Sequence, residues 1–215
     1  MKKIKNIIRS LLNLTSLGAL IQLRINSSLT EYGWFQTFKN KESIDKNGQP
    51  LALCTYPFIS FIEPRLKDHF QVFEYGCGNS TIWYANRVKS IKSVEHDIEW
   101  LNKIKHKMPS NSSIVYRELE YNGDYSKEVG KDLVKYHIVI IDGRDRNNSL
   151  LNALNNLTPD GIIVFDNTHL KQYQSSINQA ILNGFKRIDF HGMAPIIPYN
   201  SCTSIIYRRD NCLGI

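Results

Sequence analysis

Residues 72–97 read VFEYGCGNSTIWYANRVKSIKSVEHD, and this stretch decides the fold. A short apolar run ends in Glu74-Tyr75, two glycines follow one residue apart (Gly76 and Gly78), and Asn79-Ser80-Thr81 opens a segment of helical character. A second apolar run then ends in Glu95-His96-Asp97. A strand, a glycine loop, a helix and a second strand in this order make one β-α-β unit, and such units build parallel sheets. In an open parallel sheet the loop lies at the carboxyl ends of the strands, where ligands bind.

The same alternation continues on both sides. Apolar runs fall at 71–75, 91–95, 114–117, 137–141, 162–165, 185–190 and 203–207, with helical patterns at 80–87, 98–107, 148–156 and 172–183. Runs such as IVII and IIVF suit strands covered on both faces. The expected architecture is α/β: an open, doubly wound, mostly parallel Rossmann-like sheet over 51–215, preceded by a helical or cap segment over 1–50. In that first segment Ile4, Ile7, Ile8, Leu11 and Leu12 keep helical spacing behind a lysine-rich start. Arg9, Asn13, Gln22 and Arg24 interrupt the apolar run, so it is too short and polar to span a bilayer. It reads as a helix packed on its own domain, with peripheral contact to a membrane surface as the other reading. The expected location is cytoplasmic.

The 215 residues suffice for one well-buried domain. The formal charge of +7 invites nucleic acid, but the basic residues are spread along the chain, and such a balance is more often a solubility feature or an attraction to anionic substrates. Cys54, Cys77, Cys202 and Cys212 form no CxxC pair and read as free thiols.

The glycine loop is informative for what it lacks. A dinucleotide fingerprint needs a third glycine where Thr81 stands, and a P-loop needs a Gly-Lys-Ser/Thr that is absent. Glu74 places a negative group at the crevice, which repels a pyrophosphate and suits a cation. Glu95, at the end of the second run, is placed to accept hydrogen bonds from a ribose diol. A ligand with a ribose, a positive charge and no pyrophosphate is S-adenosylmethionine.

With these features the sequence resembles the class I S-adenosylmethionine-dependent methyltransferases, from about Tyr56 to Arg208. The resemblance rests on FEYGCGNST, SVEHD, YHIVIIDGRDR and DGIIVFDN. It implies seven strands, the last antiparallel, and FKRIDFHGMAPIIPYNSCTSIIYRR fits that ending. The cofactor-binding set it implies is Glu74, Tyr75, Gly76, Gly78, Ser80, Thr81, Glu95, His96, Asp97 and Asp142. For the adenine it leaves Glu118, Glu120 and Tyr121 as candidates.

On the acceptor side, Asp142 ends the fourth run and Asp166-Asn167 the fifth. The arrangement resembles catechol O-methyltransferase and related enzymes, which implies that Asp142, Asp166 and Asn167 could hold Mg2+. Alternatively, Asp166-Asn167 turns the chain and caps the next helix. Asp142 and His169 are the candidate catalytic residues, His169 being the base if no metal takes part. Tyr32, Trp34 and Tyr56 could close over a ligand, and the loop HGMAPIIPYN is apt to rim the acceptor.

The expected activity is methyl transfer to a hydroxyl of a small molecule or glycan. The rivals are a nicotinamide-binding oxidoreductase, disfavoured by Thr81 and Glu74, and a non-catalytic protein that retains the fold. An RNA methyltransferase has the charge in its favour but lacks an amino-methylating motif where DGRD stands.

Overall fold

Two apolar runs set the centre of the molecule. In YHIVII, residues 136–141, alternate side chains are buried on opposite faces, and the same holds for IIVFD at 162–166. A segment of this kind is stable only in the middle of a sheet with helices on both sides. The computed structural model describes residues 10–215, and in it the two runs are neighbouring central strands.

The strands are β1 (Gln71–Tyr75), β2 (Ser90–Glu95), β3 (Ser112–Tyr116), β4 (Tyr136–Ile141), β5 (Leu157–Asp166), β6 (Lys186–Gly192) and β7 (Ser201–Tyr207). They form one seven-stranded sheet in the order β3-β2-β1-β4-β5-β7-β6. β7 runs antiparallel to both its neighbours and the remaining pairings are parallel. The strand order reverses between β1 and β4, which opens a crevice above their carboxyl ends.

The helices are α1 (Ser16–Ile25), α2 (Ser28–Glu31), α3 (Trp34–Asn40), α4 (Tyr56–Ile62), α5 (Asn79–Ala85), α6 (Ile98–Ile104), α7 (Asp124–Lys127), α8 (Arg146–Leu154) and α9 (Gln174–Leu182). Residues of α4 and α5 pack with Ile138, Ile140, Ile162 and Val164 on one face of the sheet. Residues of α7, α8 and α9 pack with Val139, Ile141, Ile163 and Phe165 on the other. Each of these side chains contributes about 1.5–3 kcal/mol through its removal from water.

The segment before β1 is tied to the sheet domain by side chains. Thr37 of α3 accepts from the Ile196 amide at 2.8 Å, and the Trp34 indole donates to the Ile197 carbonyl at 3.3 Å. Asn79, at the start of α5, donates to the Ser43 carbonyl at 2.8 Å.

α1 departs from expectation. It does not pack on the domain: Gly18 is its only buried residue, and Leu17 and Leu20 are more than half exposed. Ile4, Ile7 and Ile8, which belong to the same expected pattern, lie outside the described residues.

Candidate functional site

The glycine loop forms because two backbones must pass closely. Gly76 adopts φ +94°, a left-handed conformation that a side chain would strain. Opposite it, a Cβ on Gly143 would fall 2.1 Å from the Tyr125 hydroxyl and 2.9 Å from the Gly76 nitrogen. The loops after β1 and β4 therefore meet backbone to backbone. Above them lies a cavity of about 810 Å³, within the range of small-ligand pockets.

Glu74 is the buried anchor of this cavity. One of its oxygens accepts from the Ser80 hydroxyl, and the other from the hydroxyls of Thr81 and Ser93. Thr81 also accepts from the Gly78 amide at 3.0 Å, closing the first turn of α5. This bond explains why a third glycine is dispensable: a hydroxyl beneath the loop holds its shape. Burial pushes the Glu74 carboxyl up from about 4.5 to about 7, with the three hydroxyls opposing and Glu95 adding to the rise.

Because its folded pKa is raised, Glu74 keeps a proton in the folded chain that the unfolded chain loses above pH 4.5. Its contribution to stability is therefore full below about pH 4.5 and lost as pH rises to about 7. The loss is expected to be about 3 kcal/mol. Urea unfolding across this pH range should show a steeper decline for the wild type than for Glu74→Gln. Parallel declines would remove the basis for a buried, proton-sharing Glu74.

Glu95 is also buried, and its position is set by backbone. One oxygen accepts from the amides of His96 and Asp97 at 2.8 and 2.9 Å. The other meets only the Cys77 thiol, at 3.4 Å, and so keeps capacity for a diol. His96 lines the cavity with its ring edge-on to Tyr125. Asp97 caps α6 by accepting from the Trp100 amide at 2.9 Å. Burial and the neighbouring carboxylates Glu95 and Glu74 push the Cys77 thiol far up, so it stays protonated and serves as a donor. All four cysteines are free thiols.

Trp100 is a wall that sequence reasoning missed. Its indole donates to the Cys77 carbonyl at 2.8 Å, and its ring lies 3.7 Å from where a Gly78 Cβ would be. The wall continues with Ile104 and Met108. Glu118, Glu120 and Tyr121, the expected adenine neighbours, do not line the cavity, and Tyr121 is largely exposed.

The expected magnesium site holds a cation of a different kind. Arg146, the first residue of α8, donates to the Asp142 carboxylate at 3.0 Å and to the Asn167 side-chain oxygen at 3.1 Å. It also donates to the backbone carbonyls of Asp142, Gly143 and Asp166 at 2.9, 2.9 and 2.6 Å. The Asn167 amide nitrogen donates to Ser201, and Asp166 accepts from Thr203. A guanidinium thus already engages two of the three expected oxygen ligands, Asp142 and Asn167, while the Asp166 carboxylate is held by Thr203. The three residues do not fit a metal site. Asn167 instead turns the chain, at φ +60°, but the capping half of the alternative reading fails, since the N-cap of α9 is Tyr173.

The guanidinium bonds the Asp142 carboxylate directly and acts on the Asp166 carboxylate through its charge alone. Burial raises the pKa of both Asp142 and Asp166. For Asp142 the Asp166 charge adds to the rise and Arg146 opposes it; for Asp166 the Thr203 hydroxyl and then Arg146 oppose it.

The remaining assignments divide clearly. Gly76, Gly78, Ser80, Asp142 and Asp166 line the cavity. The Tyr75 side chain turns away from it, donating to the Ser126 carbonyl at 2.7 Å, so only its main chain reaches the lining. Thr81 is fully buried beneath the loop and does not reach the lining either. His169 is exposed and outside the cavity, which removes it as the base.

Tyr32, Trp34 and Tyr56 also lie outside the lining, with Tyr32 and Tyr56 stacked at 4.5 Å beside a second cavity. From the loop before β7, Ile196 and Ile197 wall the cavity, with Ile196 at φ +70°.

Among the described residues, one grouping of His, Cys and carboxylate is compact enough for a metal, formed by Asp189, His191 and Cys202 on β6 and β7. Its Asp189 carboxylate is engaged by Arg187 and Ser204, and none of the three lines the cavity.

No protein-family model matches the sequence, and no curated protein matches it. Solved structures do match the fold. The chain is similar to a precorrin-6y C5,15-methyltransferase from Geobacter metallireducens, with 15% identity over 80% of this chain and 96% of that one and a TM-score of 0.58. It is similar to an rRNA methylase from Streptococcus thermophilus, with 12% identity over 74% of this chain and 100% of that one and a TM-score of 0.53. A Streptococcus mutans protein crystallised in complex with SAH matches at 10% identity over 69% of this chain and 94% of that one, with a TM-score of 0.50. The chain has the seven-stranded, Rossmann-like fold of the class I methyltransferases.

Proposed function

We propose that the chain is an S-adenosylmethionine-dependent methyltransferase acting on a hydroxyl of a small molecule or sugar. The observation that carries this reading is the pairing of two buried carboxylates around one glycine loop, Glu74 beneath it and Glu95 beside it. Such walls reject a pyrophosphate and accept a cationic nucleoside.

Within this reading Glu95 receives the ribose diol, on the oxygen that only Cys77 contacts. Trp100 presents a flat face to the purine. Glu74 and Asp142 face the methionine end, where a sulfonium charge would favour their ionised forms. Bound there, S-adenosylmethionine supplies a methyl group on a positively charged sulfur. The chain's own task is to hold an acceptor in line and to take its proton.

Asp142 is the residue placed for that proton. Its Oδ1 is held by Arg146, it lines the cavity, and its raised pKa suits proton acceptance better than an ordinary carboxylate. Lys41, Arg144 and Asn167 give the acceptor end a polar lining, which suits a polyhydroxyl compound.

Calorimetry tests the cofactor assignment. Saturable heat is expected with S-adenosylmethionine and S-adenosylhomocysteine, and none with NADH. Binding of NADH alone would reverse the reading in favour of a nicotinamide enzyme. Methyl transfer to a panel of sugars and small alcohols then separates an enzyme from a binding protein.

A further inference from the structure

We infer that α1, with Leu11 and Leu14 leading into it, is an N-terminal arm that docks on an anionic lipid bilayer. The inference is independent of the cofactor reading and stands on two observations. The first is apolar exposure without a partner. Leu11, Leu14, Leu17, Leu20 and Ile25 are 56–82% exposed, and Gly18 is the one buried residue of α1. A run of exposed leucines of this density marks an interaction site in a protein whose sheet is otherwise well covered.

The second observation is charge. The first thirty residues contain Lys2, Lys3, Lys5, Arg9 and Arg24 and no acidic residue. They supply five of the seven net positive charges of the chain. A basic stretch of sequence leading into exposed leucines complements a surface that is anionic outside and apolar beneath. A protein partner would need acidic and apolar groups in matching register, whereas a bilayer supplies both everywhere.

The arm lies on such a surface and does not cross it. No helix among the described residues is long and apolar enough to span a membrane. At ten residues, α1 is about 15 Å long, half the thickness of a hydrocarbon core. Its exposure excludes a helix buried on its own domain, and a second copy of this chain is the competing occupant for the leucines.

The test is co-sedimentation of the full chain with vesicles of phosphatidylcholine, alone or with about 30% phosphatidylglycerol. Binding to the anionic vesicles is expected to be at least about tenfold stronger and to weaken at high salt. Leu17→Asp with Leu20→Asp should lower it by about tenfold or more. Both positions are exposed, so the variant should fold, and unchanged unfolding by urea checks that it does.

Lys2→Glu with Lys3→Glu should lower anionic binding while leaving the weak binding to neutral vesicles in place. Three results overturn the inference. The wild type could stay in the supernatant with both vesicles, or the leucine variant could bind as well as the wild type. The third is a dimer in sedimentation velocity that the leucine variant dissociates, which would assign the arm to a second copy.

Discussion

Arg146→Met is expected to lower Tm by about 10 °C at pH 8 and by much less at pH 5. The variant leaves Asp142 and Asp166 near each other without their shared cation and removes donors from three backbone carbonyls and from Asn167. Breaking a buried pair from one side costs about 3–5 kcal/mol, because the remaining charge is neither solvated nor matched.

The pH dependence identifies the cause. Both carboxyls already have raised pKa values, and removing the guanidinium raises them further. A group raised in the folded state loses its stabilising contribution as pH rises, so the penalty is largest in base and relieved in acid. Arg146→Lys keeps the charge but not the planar fork and should fall between. Equal Tm losses at both pH values would show that the arginine acts by packing alone. Because the guanidinium fills the place of a metal, activity should also be indifferent to added magnesium and to chelator.

The second large effect is on turnover. Asp142→Asn is expected to reduce kcat by about 10²–10⁴-fold with a smaller change in cofactor affinity. The amide oxygen can still accept from Arg146, so the local frame survives, but the side chain can no longer take a proton. In the wild type, a base with a raised pKa must ionise before it acts. The rate should therefore rise with pH along a limb above the ordinary carboxylate range, and this limb should vanish in the variant. An unchanged rate, or a limb that persists, would remove Asp142 from the chemistry.

Much of the sheet is legible in the sequence because central strands are apolar on both faces. The run at 71–75 coincides with β1 residue for residue, bounded by Phe70 and by the glycine loop. β5 is longer than its apolar run. It starts at Leu157, and Thr158-Pro159-Asp160-Gly161 reads as a turn by composition. The pairing with β4 shifts register there, and such irregularities are where strands tolerate proline and glycine.

The cofactor end of the site is legible for a similar reason, since the strand-end carboxylates and the glycines are local features. The acceptor end is not. Just past Asp142, Arg146 reads in the sequence as a binder of an anionic substrate or, more commonly, a surface arginine, and only the approach of β4 and β5 makes it the centre of a clamp. The one available signal is its spacing of four residues from Asp142 across a strand-to-helix turn. Trp100 is hidden for the opposite reason, because an aromatic in a helix defaults to core packing. His169 is near in sequence to Asp166, but the turn at Asn167 carries it outward.

Ile196 has a consequence beyond its place in the wall. A β-branched residue in a left-handed conformation costs on the order of 1–3 kcal/mol, so this backbone is under tension and does not hold its shape unaided. What restrains it is α3, through Thr37 and Trp34, from outside the strand-and-helix framework. The cavity wall at Ile196 and Ile197 is thus tied to a latch carried on the leading segment of the chain, and loosening that latch would let this wall relax while the glycine-loop floor stays as it is.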